Sequence, residues 1–414
     1  MSERKPLGAR GQAAAKGPVR PGATVGILGG GQLGRMTALA ARHMGYKIAV
    51  LDPVPGAPAM QVADVRIAAR LDDAAAARKL GQAADVVTYE FENVAAPVAQ
   101  ALEDVAVVRP SARVLEVSQH RVLEKETFAA LGLPVAAFRP VASHSDLVAA
   151  AEALGFPCLL KTAMGGYDGK GQRWVETPED AHLAWGWAEA ERRAGVGTGG
   201  ELAEFILEAR VPFVMELSVI VARDALGTTA AYPVAENVHR GHILHLSIVP
   251  ARIPPEIARA AQSLAVRLAD GLGAVGVLGV ELFMTADGSL YVNEFAPRPH
   301  NSGHYTIEAC ATSQFQQHVR AVCGLPLGST ELLRPAVMLN LLGEHLPSAL
   351  QRVEELMAIE GLHLHVYGKA EARRGRKMGH LTVLASTVPE ALERAQVAWD
   401  IVRAPGDPSS VAAI

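Results

Sequence analysis

Two glutamates, Glu281 and Glu294, lie on short apolar segments that are separated by Asp287 and Gly288. An Asp-Gly pair between β-rich segments favours a two-residue hairpin turn, and a turn centred on that pair places the two glutamates opposite each other. Facing carboxylates repel unless a cation lies between them, and Mg²⁺, which accompanies nucleotide phosphates, is the usual one. The spacing therefore indicates a magnesium site; a register shifted by one residue would instead point the acids apart.

A glycine-rich segment, Gly165 to Gln172, follows an apolar strand predicted at 156–160 and ending at Lys161. Four glycines and Lys170 are typical of a mobile loop that folds over phosphates, although the spacing of a P-loop is absent. Asp168 would repel a phosphate, so it fits better as a group that reaches a second substrate, for example as a base. The alternative is a surface hairpin loop.

Hydrogen-bond donors are dense directly after the second glutamate, in Arg298, His300, Asn301, Ser302 and His304. An anionic or phosphorylated substrate beside a metal needs such a loop. Zinc is not indicated, because no cysteine or further histidine lies at ligand spacing. The alternative is a proline-restrained loop whose polar side chains are solvated.

A first glycine motif, Gly29-x-Gly31-x-x-Gly34, follows a predicted strand and opens a predicted helix, with Asp52 further along. The pattern fits dinucleotide binding, but glycines at a helix N-terminus accept other phosphates equally well. The motif alone leaves open NAD or FAD, another phosphate ligand and a structural turn.

Two charged segments have weaker signals. Residues 88–93, Thr-Tyr-Glu-Phe-Glu-Asn, lie at the end of a predicted parallel strand, where open α/β sheets bind ligands. The alternative is that these acids form the N-terminal turn of a helix. The basic residues 373–377 are, on their own, typical of a solvated surface.

The composition is that of a globular chain of 414 residues, 50% hydrophobic and 20% charged, so about two or three domains are expected. A net charge of −4 gives no basic field for nucleic acid, and no apolar run reaches the ~18–20 residues that cross a bilayer. Residues 1–21 lack the apolar segment of a secretory signal and are expected to be a disordered tail, with a transit peptide as the alternative. Three cysteines suggest neither a disulfide framework nor a zinc site, so a cytoplasmic location is expected.

The elements that must position these residues begin with strands and helices that alternate from Thr24 to Tyr89 and predict a parallel α/β sheet. A helix is predicted over 118–131, with Ser118 as its N-cap and Gly132 just past its end. A further helix over 255–271 precedes the hairpin. After Pro335, short strands over 337–342, 362–367 and 380–384 and a final helix predict a smaller unit.

Taken in order, these motifs resemble the 5-(carboxyamino)imidazole ribonucleotide synthases, ATP-grasp ligases of purine biosynthesis. The resemblance runs from about Thr24 to Ala398 and is carried by five segments: Gly29–Met36, Tyr89–Asn93, Gly165–Gln172, Asn293–His304 and Gly375–His380. It implies an α/β protein (α+β overall) with an ATP-grasp fold, an N-terminal Rossmann-like parallel-sheet domain and a small C-terminal domain. The expected boundaries are 1–21 for the tail, 22–118 for the Rossmann-like domain, 119–325 for the ATP-grasp domain with a lid subdomain at about 119–210, and 326–414 for the C-terminal domain.

The reaction that the resemblance implies is a carboxylation. ATP and bicarbonate give carboxyphosphate, and the amine of 5-aminoimidazole ribonucleotide then takes up the carboxyl group, leaving ADP and phosphate. ATP with one or two Mg²⁺ ions, bicarbonate, the ribonucleotide and a second copy of the chain are the implied partners, with no nucleic acid and no membrane. Carboxyphosphate hydrolyses readily, so a lid that excludes water is expected over it.

The resemblance also assigns site residues. The implied ATP contacts are Arg121, Lys161, Gly166, Gly169, Lys170, Gly171, Gln172, Glu208, Ala209, Arg210, Val211, Glu216, His239, Asn293 and Glu294, and the implied metal ligands are Glu281 and Glu294. The implied ribonucleotide contacts are Gln32, Leu33, Glu90, Tyr167, Asp168, His300, Asn301, Ser302, Lys369, Arg376 and Lys377. The implied catalytic groups are Asp168, as the base for the substrate amine, with Tyr167, Arg298 and Lys369.

The chain departs from the family pattern at two positions. A charged Arg210 stands in the adenine hinge where a small residue is common, and Arg374 replaces a usual proline in the basic loop, which is expected to loosen that turn. Three alternatives remain at this stage. They are another ATP-grasp ligase (a formate-dependent glycinamide ribonucleotide transformylase or a biotin carboxylase), a nicotinamide-dependent oxidoreductase, and a non-catalytic relative.

Overall fold

The computed structural model describes residues 17–165, 170–194 and 204–403. The elements of the N-terminal unit are β1 (Thr24–Leu28), α1 (Gln32–His43), β2 (Lys47–Asp52), β3 (Val65–Ala68), α2 (Ala74–Gln82), β4 (Val86–Tyr89), α3 (Ala96–Glu103) and α4 (Ala112–Gln119). Within the described residues its strands form one parallel sheet in the order β3-β2-β1-β4. This confirms the predicted Rossmann-like sheet. The first glycine motif lies between β1 and α1, at the carboxyl edge of the sheet.

A second, antiparallel sheet follows and is called the lid sheet here. This part of the chain contains α5 (Arg121–Ala130), β5 (Phe138–Val141), α6 (His144–Leu154), β6 (Cys158–Thr162), β7 (Gln172–Val175), α7 (Asp180–Arg193) and β8 (Phe205–Ala209). The lid sheet has the order β5-β8-β6-β7. Helices α6 and α7 pack on one face of the sheet and bury Leu147, Ala184, Phe205 and Leu207. The other face is left for the site.

The rest of the chain builds a larger antiparallel sheet, the central sheet. Its elements are β9 (Phe213–Arg223), β10 (Thr229–Ala231), β11 (Ala235–Arg240), β12 (Ile243–Val249), α8 (Pro255–Leu272), β13 (Gly276–Thr285), β14 (Leu290–Ala296), α9 (Thr306–Ala309), α10 (Gln314–Val322), β15 (Ala336–Leu342), α11 (Leu346–Gln351), α12 (Val353–Met357), β16 (Leu362–Val366), β17 (Lys377–Leu384) and α13 (Val388–Val402). The strand order is β14-β13-β9-β11-β12-β15-β17-β16, with β10 paired on β9. The strands of the predicted C-terminal unit therefore extend the same sheet that carries the hairpin.

Helix α8 closes the core beneath the hairpin. Its buried residues recur every three or four positions and face the central sheet: Ala261, Leu264, Ala265, Leu268 and Ala269. The helix ends at Gly273, which adopts a left-handed conformation with φ +57°. This packing fixes β13 and β14 from below.

The turn between β13 and β14 differs from the predicted two-residue turn. The Gly288 N–H donates to the Thr285 carbonyl, and the Thr285 N–H donates to the Ser289 carbonyl, so three residues rather than two form the loop. Gly288 has φ +83°, the left-handed value that such a three-residue loop requires. The predicted turn is wrong by one residue.

A β-bulge compensates for that difference. Near the turn, Leu282 pairs with Val292, but one extra residue, Asn293, is then inserted in β14, and Glu281 pairs with Glu294 as predicted. The bulge also breaks the inside–outside alternation of β14, because Asn293 and Glu294 are both partly exposed. Both side chains can therefore serve the same cleft.

One other predicted element needs correction, and one hairpin was missed. The helix predicted over 118–131 is two helices separated by His120, whose backbone is extended, and the Ser118 hydroxyl donates to the Leu115 carbonyl inside α4 instead of capping a helix. The hairpin of β11 and β12 was not predicted. Gly241 and His242 form its two-residue turn, and both have positive φ. The glycine between two alternating segments was the signal in the sequence.

None of the helices that the structure describes combines the length and apolar character needed to span a bilayer. All three cysteines are buried free thiols.

Candidate active site

A cleft of about 850 Å³ lies between the lid sheet and the central sheet. Its walls include most of the predicted ATP contacts, namely Arg121, Lys161, Lys170, Gln172, Glu208, Ala209, Arg210, Val211, Glu216, His239, Asn293 and Glu294. They also include Glu281 and, from the predicted ribonucleotide and catalytic groups, Arg298, His300, Asn301 and Lys377. Gly171 is not part of the wall; its carbonyl accepts from the Thr162 N–H at 2.9 Å. Residues scattered over half the chain thus meet at one place.

A buried ion pair lies at the lid side of the cleft. The Lys161 ammonium is 2.9 Å from the Glu208 carboxylate, and Lys125 lies 3.7 Å from the same carboxylate. Burial opposes ionisation of Glu208, but the two lysine charges hold the pKa of Glu208 down to about 2. Burial also lowers the pKa of Lys161, against the attraction of Glu208. Oε1 of Glu208 is buried and has no hydrogen-bond partner, so it can accept from a ligand donor.

The predicted adenine hinge follows Glu208 directly. Arg210 is exposed at the wall, and its N–H donates to the Pro157 carbonyl at 3.4 Å. Phe213 stacks on Phe283 across the mouth of the cleft, with ring centroids 4.4 Å apart. The hinge therefore keeps its place beside an aromatic surface despite the charged side chain.

Deeper in the cleft, Nδ1 of His239 lies 2.8 Å from the Glu216 carboxylate. Burial lowers the pKa of His239, but the hydrogen bond and charge of Glu216 outweigh it and raise the pKa overall. The pairing of His239 with Glu216 in the cleft wall is compatible with the nucleotide contacts predicted for both residues.

The two facing glutamates, Glu281 and Glu294, form the candidate metal site. Burial, followed by the charge of Glu294, raises the pKa of Glu281 to about 8, as expected when two carboxylates share a site without a cation. The Arg121 guanidinium is 3.6 Å from Glu294, and Nε2 of His300 is 3.3 Å from Glu281. Among the described residues, no three His, Cys, Asp or Glu side chains are arranged to hold a metal. Two carboxylates completed by nucleotide phosphates fit Mg²⁺.

His300 is held from behind by Ser302. Nδ1 of His300 lies 2.9 Å from the Ser302 hydroxyl, which accepts from Ser218 at 2.7 Å. Burial lowers the pKa of His300 well below its ordinary value. Ser302 is fully buried behind His300, and its predicted contact with substrate stays a prediction. Asn301 reaches the wall and exchanges two hydrogen bonds with Asn340.

Two residues of α5 at the cleft wall were missed by the sequence reasoning. The Lys125 ammonium donates to the Asn293 carbonyl at 2.7 Å, and the Glu124 carboxylate accepts from the Phe295 N–H at 3.0 Å. The available signal was their spacing from Arg121, since positions i, i+3 and i+4 share one helix face.

The first glycine loop is occupied by the chain's own carboxylates. Asp52 accepts from the Gly30 N–H at 2.7 Å, and Glu90 accepts from the Gly34 N–H at 3.0 Å. A side chain at Gly31 would overlap with the Glu90 carboxylate. Since Asp52 bonds the loop backbone instead of standing free for a ribose, this geometry speaks against the nicotinamide alternative.

Glu90 connects the glycine loop to the cleft. Burial raises the pKa of Glu90, while backbone hydrogen bonds and the charge of Arg298 oppose the rise. Arg298 donates to Glu92 at 2.6 Å. Burial opposes ionisation of Glu92, but Arg298 holds the pKa of that carboxyl below its usual range. The Arg298 guanidinium is therefore held by Glu92 of the N-terminal unit, on the side of the cleft that faces this unit.

The C-terminal loop completes this side. Lys369 donates to the Lys377 carbonyl at 2.7 Å, and burial, followed by the charge of Arg376, lowers the pKa of Lys369 to about 8. Gln61 of the N-terminal unit donates to the Gly368 carbonyl at 2.9 Å, which places Lys369 beside the glycine loop. Gln32, Leu33, Glu90, Lys369 and Arg376 thus lie outside the wall of the main cleft.

The turn that carries Arg374 is closed, although a looser turn was expected. The Arg376 N–H donates to the Arg373 carbonyl at 3.0 Å, and Gly375 has φ +72° and donates to Glu344 at 2.8 Å. The predicted residues Gly166, Tyr167, Asp168 and Gly169 lie outside the described residues.

Comparisons with known proteins agree with this geometry. Residues 22–119 match the ribonucleotide synthetase preATP-grasp domain, residues 126–315 the ATP-grasp domain, and residues 336–394 the phosphoribosylaminoimidazole carboxylase C-terminal domain. N5-carboxyaminoimidazole ribonucleotide synthase of Bacillus subtilis is 46% identical over 381 residues, which cover 92% of this chain and 96% of the relative. The chain belongs to the N5-carboxyaminoimidazole ribonucleotide synthase family. This confirms the predicted family, ATP-grasp fold and ligase class.

Solved structures of the family are similar throughout. The ADP complex of an N5-carboxyaminoimidazole ribonucleotide synthetase has 50% identity and a TM-score of 0.86, covering 94% of this chain and 99% of that one. The Aspergillus clavatus N5-carboxyaminoimidazole synthase, in complex with ADP and 5-aminoimidazole ribonucleotide, has 34% identity and a TM-score of 0.82, covering 92% and 98%.

Proposed function

We propose that this chain carboxylates the amine of 5-aminoimidazole ribonucleotide with ATP and bicarbonate, forming N5-carboxyaminoimidazole ribonucleotide, ADP and phosphate in purine biosynthesis. The observation that carries the proposal is the Glu281–Glu294 pair in the wall of a cleft. Phosphate-binding cations (Arg121 and Lys161) and acceptor-side cations (Arg298 and Lys377) line the same cleft. A nucleoside triphosphate and a second anionic substrate can therefore meet at one metal.

Glu281 and Glu294 would hold Mg²⁺ together with the nucleotide phosphates. When bound, Mg²⁺ neutralises charge that develops on the transferring phosphoryl group. Arg121 and Lys161 supply further positive charge in the same cleft. Oε1 of Glu208, buried and without a partner, would accept a hydrogen bond from the adenine amino group.

Two transfers follow from this arrangement. A bicarbonate oxygen attacks the γ-phosphorus, the bond to ADP breaks, and carboxyphosphate forms. The substrate amine then attacks the carboxyl carbon, the bond to phosphate breaks, and the amine proton passes to a base. Asp168 in the glycine-rich loop is the proposed base, with Tyr167 beside it. Closure of that loop would exclude water from carboxyphosphate.

The ribonucleotide is proposed to lie between the cleft and the first glycine loop. The cations Arg298, Lys369, Arg376 and Lys377 would bind its phosphate, and Glu90 would orient its ribose or ring from the N-terminal unit. Gln32 and Leu33 would complete the loop contacts, and His300 and Asn301 would contact the carboxylating end.

We infer domains at 22–118, 119–325 and 326–414, a homodimer, and action in the cytoplasm. Sheet pairing between β12 and β15 couples the second and third of these domains.

Phosphate release from ATP and bicarbonate, measured with and without 5-aminoimidazole ribonucleotide, tests the proposed function. Wild-type protein is expected to show strong stimulation by the ribonucleotide, and Glu294→Gln is expected to lose nearly all of it. Asp270→Asn is the matched control, because Asp270 is an arginine-paired carboxylate of similar exposure outside the cleft. Phosphate release that is not stimulated by the ribonucleotide, or that persists in Glu294→Gln, would contradict the proposal.

A further inference from the structure

The strand that carries Glu294 is the outermost strand of the central sheet. Because β14 pairs with no strand but β13 within the described part of the chain, the outward backbone groups of β14 need other partners. Val292 donates to the Pro134 carbonyl at 2.8 Å. Beyond the bulge, the partners are side chains of α5: Lys125 donates to the Asn293 carbonyl and Glu124 accepts from the Phe295 N–H. These two bonds lie immediately before and after Glu294.

One face of α5 thus contacts three consecutive residues of β14. Arg121, Glu124 and Lys125 stand at positions i, i+3 and i+4 of the helix. Arg121 pairs with the Glu294 side chain, while its two neighbours bind the backbone on either side. Glu124 and Lys125 are almost completely buried, so solvent cannot replace either partner.

We propose that Glu124 is a positioning residue for the metal site, holding Glu294 where its carboxylate can bind Mg²⁺, with Lys125 in a supporting role. The inference rests on the proposed function, since it gives Glu294 its metal. A metal ligand must be held within about 0.5 Å of its working position. A β-bulge has no continuous ladder to supply that constraint, so the helix supplies it.

Glu124 is the cleaner residue to change. Lys125 also faces Glu208 in the predicted nucleotide site, whereas the Glu124 carboxylate accepts its hydrogen bond from the backbone of β14. Loss of the acceptor leaves the buried Phe295 N–H unpaired and frees the strand to move away from Glu281. Glutamine keeps an acceptor oxygen at the same reach, so it should preserve the position of Glu294.

The test measures ADP affinity of the full-length chain by titration calorimetry, in EDTA and over a series of Mg²⁺ concentrations. For Glu124→Ala we expect the Mg²⁺ concentration that half-maximally tightens ADP binding to rise at least tenfold, with the affinity in EDTA within twofold of wild type. Glu124→Gln should stay within threefold in both measurements. Thr127→Val is the matched control, because Thr127 is a buried residue of α5 whose hydroxyl donates to the Leu123 carbonyl of the same helix.

Two results would overturn the inference: an unchanged Mg²⁺ requirement in folded Glu124→Ala, or an equal loss of ADP affinity with and without Mg²⁺, which would mark a merely structural residue. Should Glu124→Ala not fold, Glu124→Asp decides, since its shorter side chain withdraws the acceptor from Phe295; a raised Mg²⁺ requirement supports the inference and an unchanged one overturns it. If Mg²⁺ does not tighten ADP binding in wild type, the proposed function fails instead.

Discussion

Replacing Glu208 by glutamine should destabilise the lid sheet by an amount that follows from the buried ion pairs. The ordinary pKa of a glutamate is 4.5, and Lys125 and Lys161 hold that of Glu208 at about 2. One pKa unit corresponds to about 1.4 kcal/mol, so ionised Glu208 stabilises the folded state by about 3 kcal/mol at neutral pH. Glu208→Gln removes this term and leaves two buried lysines uncompensated.

The sign of the pH dependence is fixed by the lowered pKa. A carboxyl whose pKa falls on folding stabilises the protein above its unfolded value, near 4.5, and loses that contribution as the pH falls towards 2. The stabilisation that ionised Glu208 gives the wild type should therefore be constant between about pH 6 and pH 8 and should decline below about pH 4.5.

Urea unfolding followed by tryptophan fluorescence measures this difference. Three of the four tryptophans, Trp174, Trp185 and Trp187, lie in β7 and α7, which pack on the same sheet as Glu208, so the signal reports on that unit. We expect a loss of about 3 kcal/mol, and partial recovery in Glu208→Gln combined with Lys161→Met, which removes one of the stranded charges.

Glu236→Gln is the control for function. Glu236 is a buried carboxylate paired with Arg252 outside the cleft wall, so this variant should lose stability without losing ADP affinity. The reasoning would be refuted by a loss below about 1 kcal/mol in Glu208→Gln, or by a combined variant no more stable than the single one.

Three further predictions concern the acceptor side. Because burial lowers the pKa of Lys369 to about 8, the KM for 5-aminoimidazole ribonucleotide should rise as the pH rises through 8. Lys369→Arg stays charged and should flatten the dependence of this KM on pH between pH 7 and 9. An identical pH dependence in both proteins would contradict the role of Lys369. Gly31→Ala should displace Glu90 and raise the KM for 5-aminoimidazole ribonucleotide about tenfold, leaving the KM for ATP within twofold. Steady-state kinetics with each substrate varied in turn measures both constants, and a raised KM for ATP would contradict the prediction. Arg374→Pro should raise stability by about 0.4–1 kcal/mol without changing activity, since proline suits the second position of this closed turn; a loss of stability in urea unfolding would show that the backbone at 374 cannot accept proline.

The sequence predicted the facing glutamates correctly from an argument that was wrong in part. The Asp287-Gly288 pair predicted a hairpin, but its loop has three residues rather than two. The bulge at Asn293 restores the pairing of Glu281 with Glu294. A bulge is set by what the strand contacts outside the hairpin, here Lys125 and Glu124 of α5. Local patterning carries no information about partners 168 and 171 positions away.

Lys170 and Arg298 were selected from the sequence itself because glycines or prolines mark their loops, whereas Arg121, Glu216 and His239 were named only by the family resemblance. What could not be predicted was which groups satisfy one another. Asp52 was a candidate ligand group, yet it accepts a hydrogen bond from the backbone of the glycine loop. Ser302 belongs to a polar loop, yet its side chain is buried behind His300. Such pairings depend on packing between distant elements, which a single sequence does not record.

The shared sheet has a mechanical consequence for the catalytic cycle. Because β15 and β17 continue the ladder that begins at β14, Lys377 and Glu281 belong to one stiff plate, and neither can approach the other during turnover. The lid sheet and the parallel sheet of the N-terminal unit are both separate from that plate. In the proposed reaction, the distance between the metal carboxylates and the acceptor-side cations would then stay constant, and closure over the nucleotide would come from movement of the lid sheet relative to this plate.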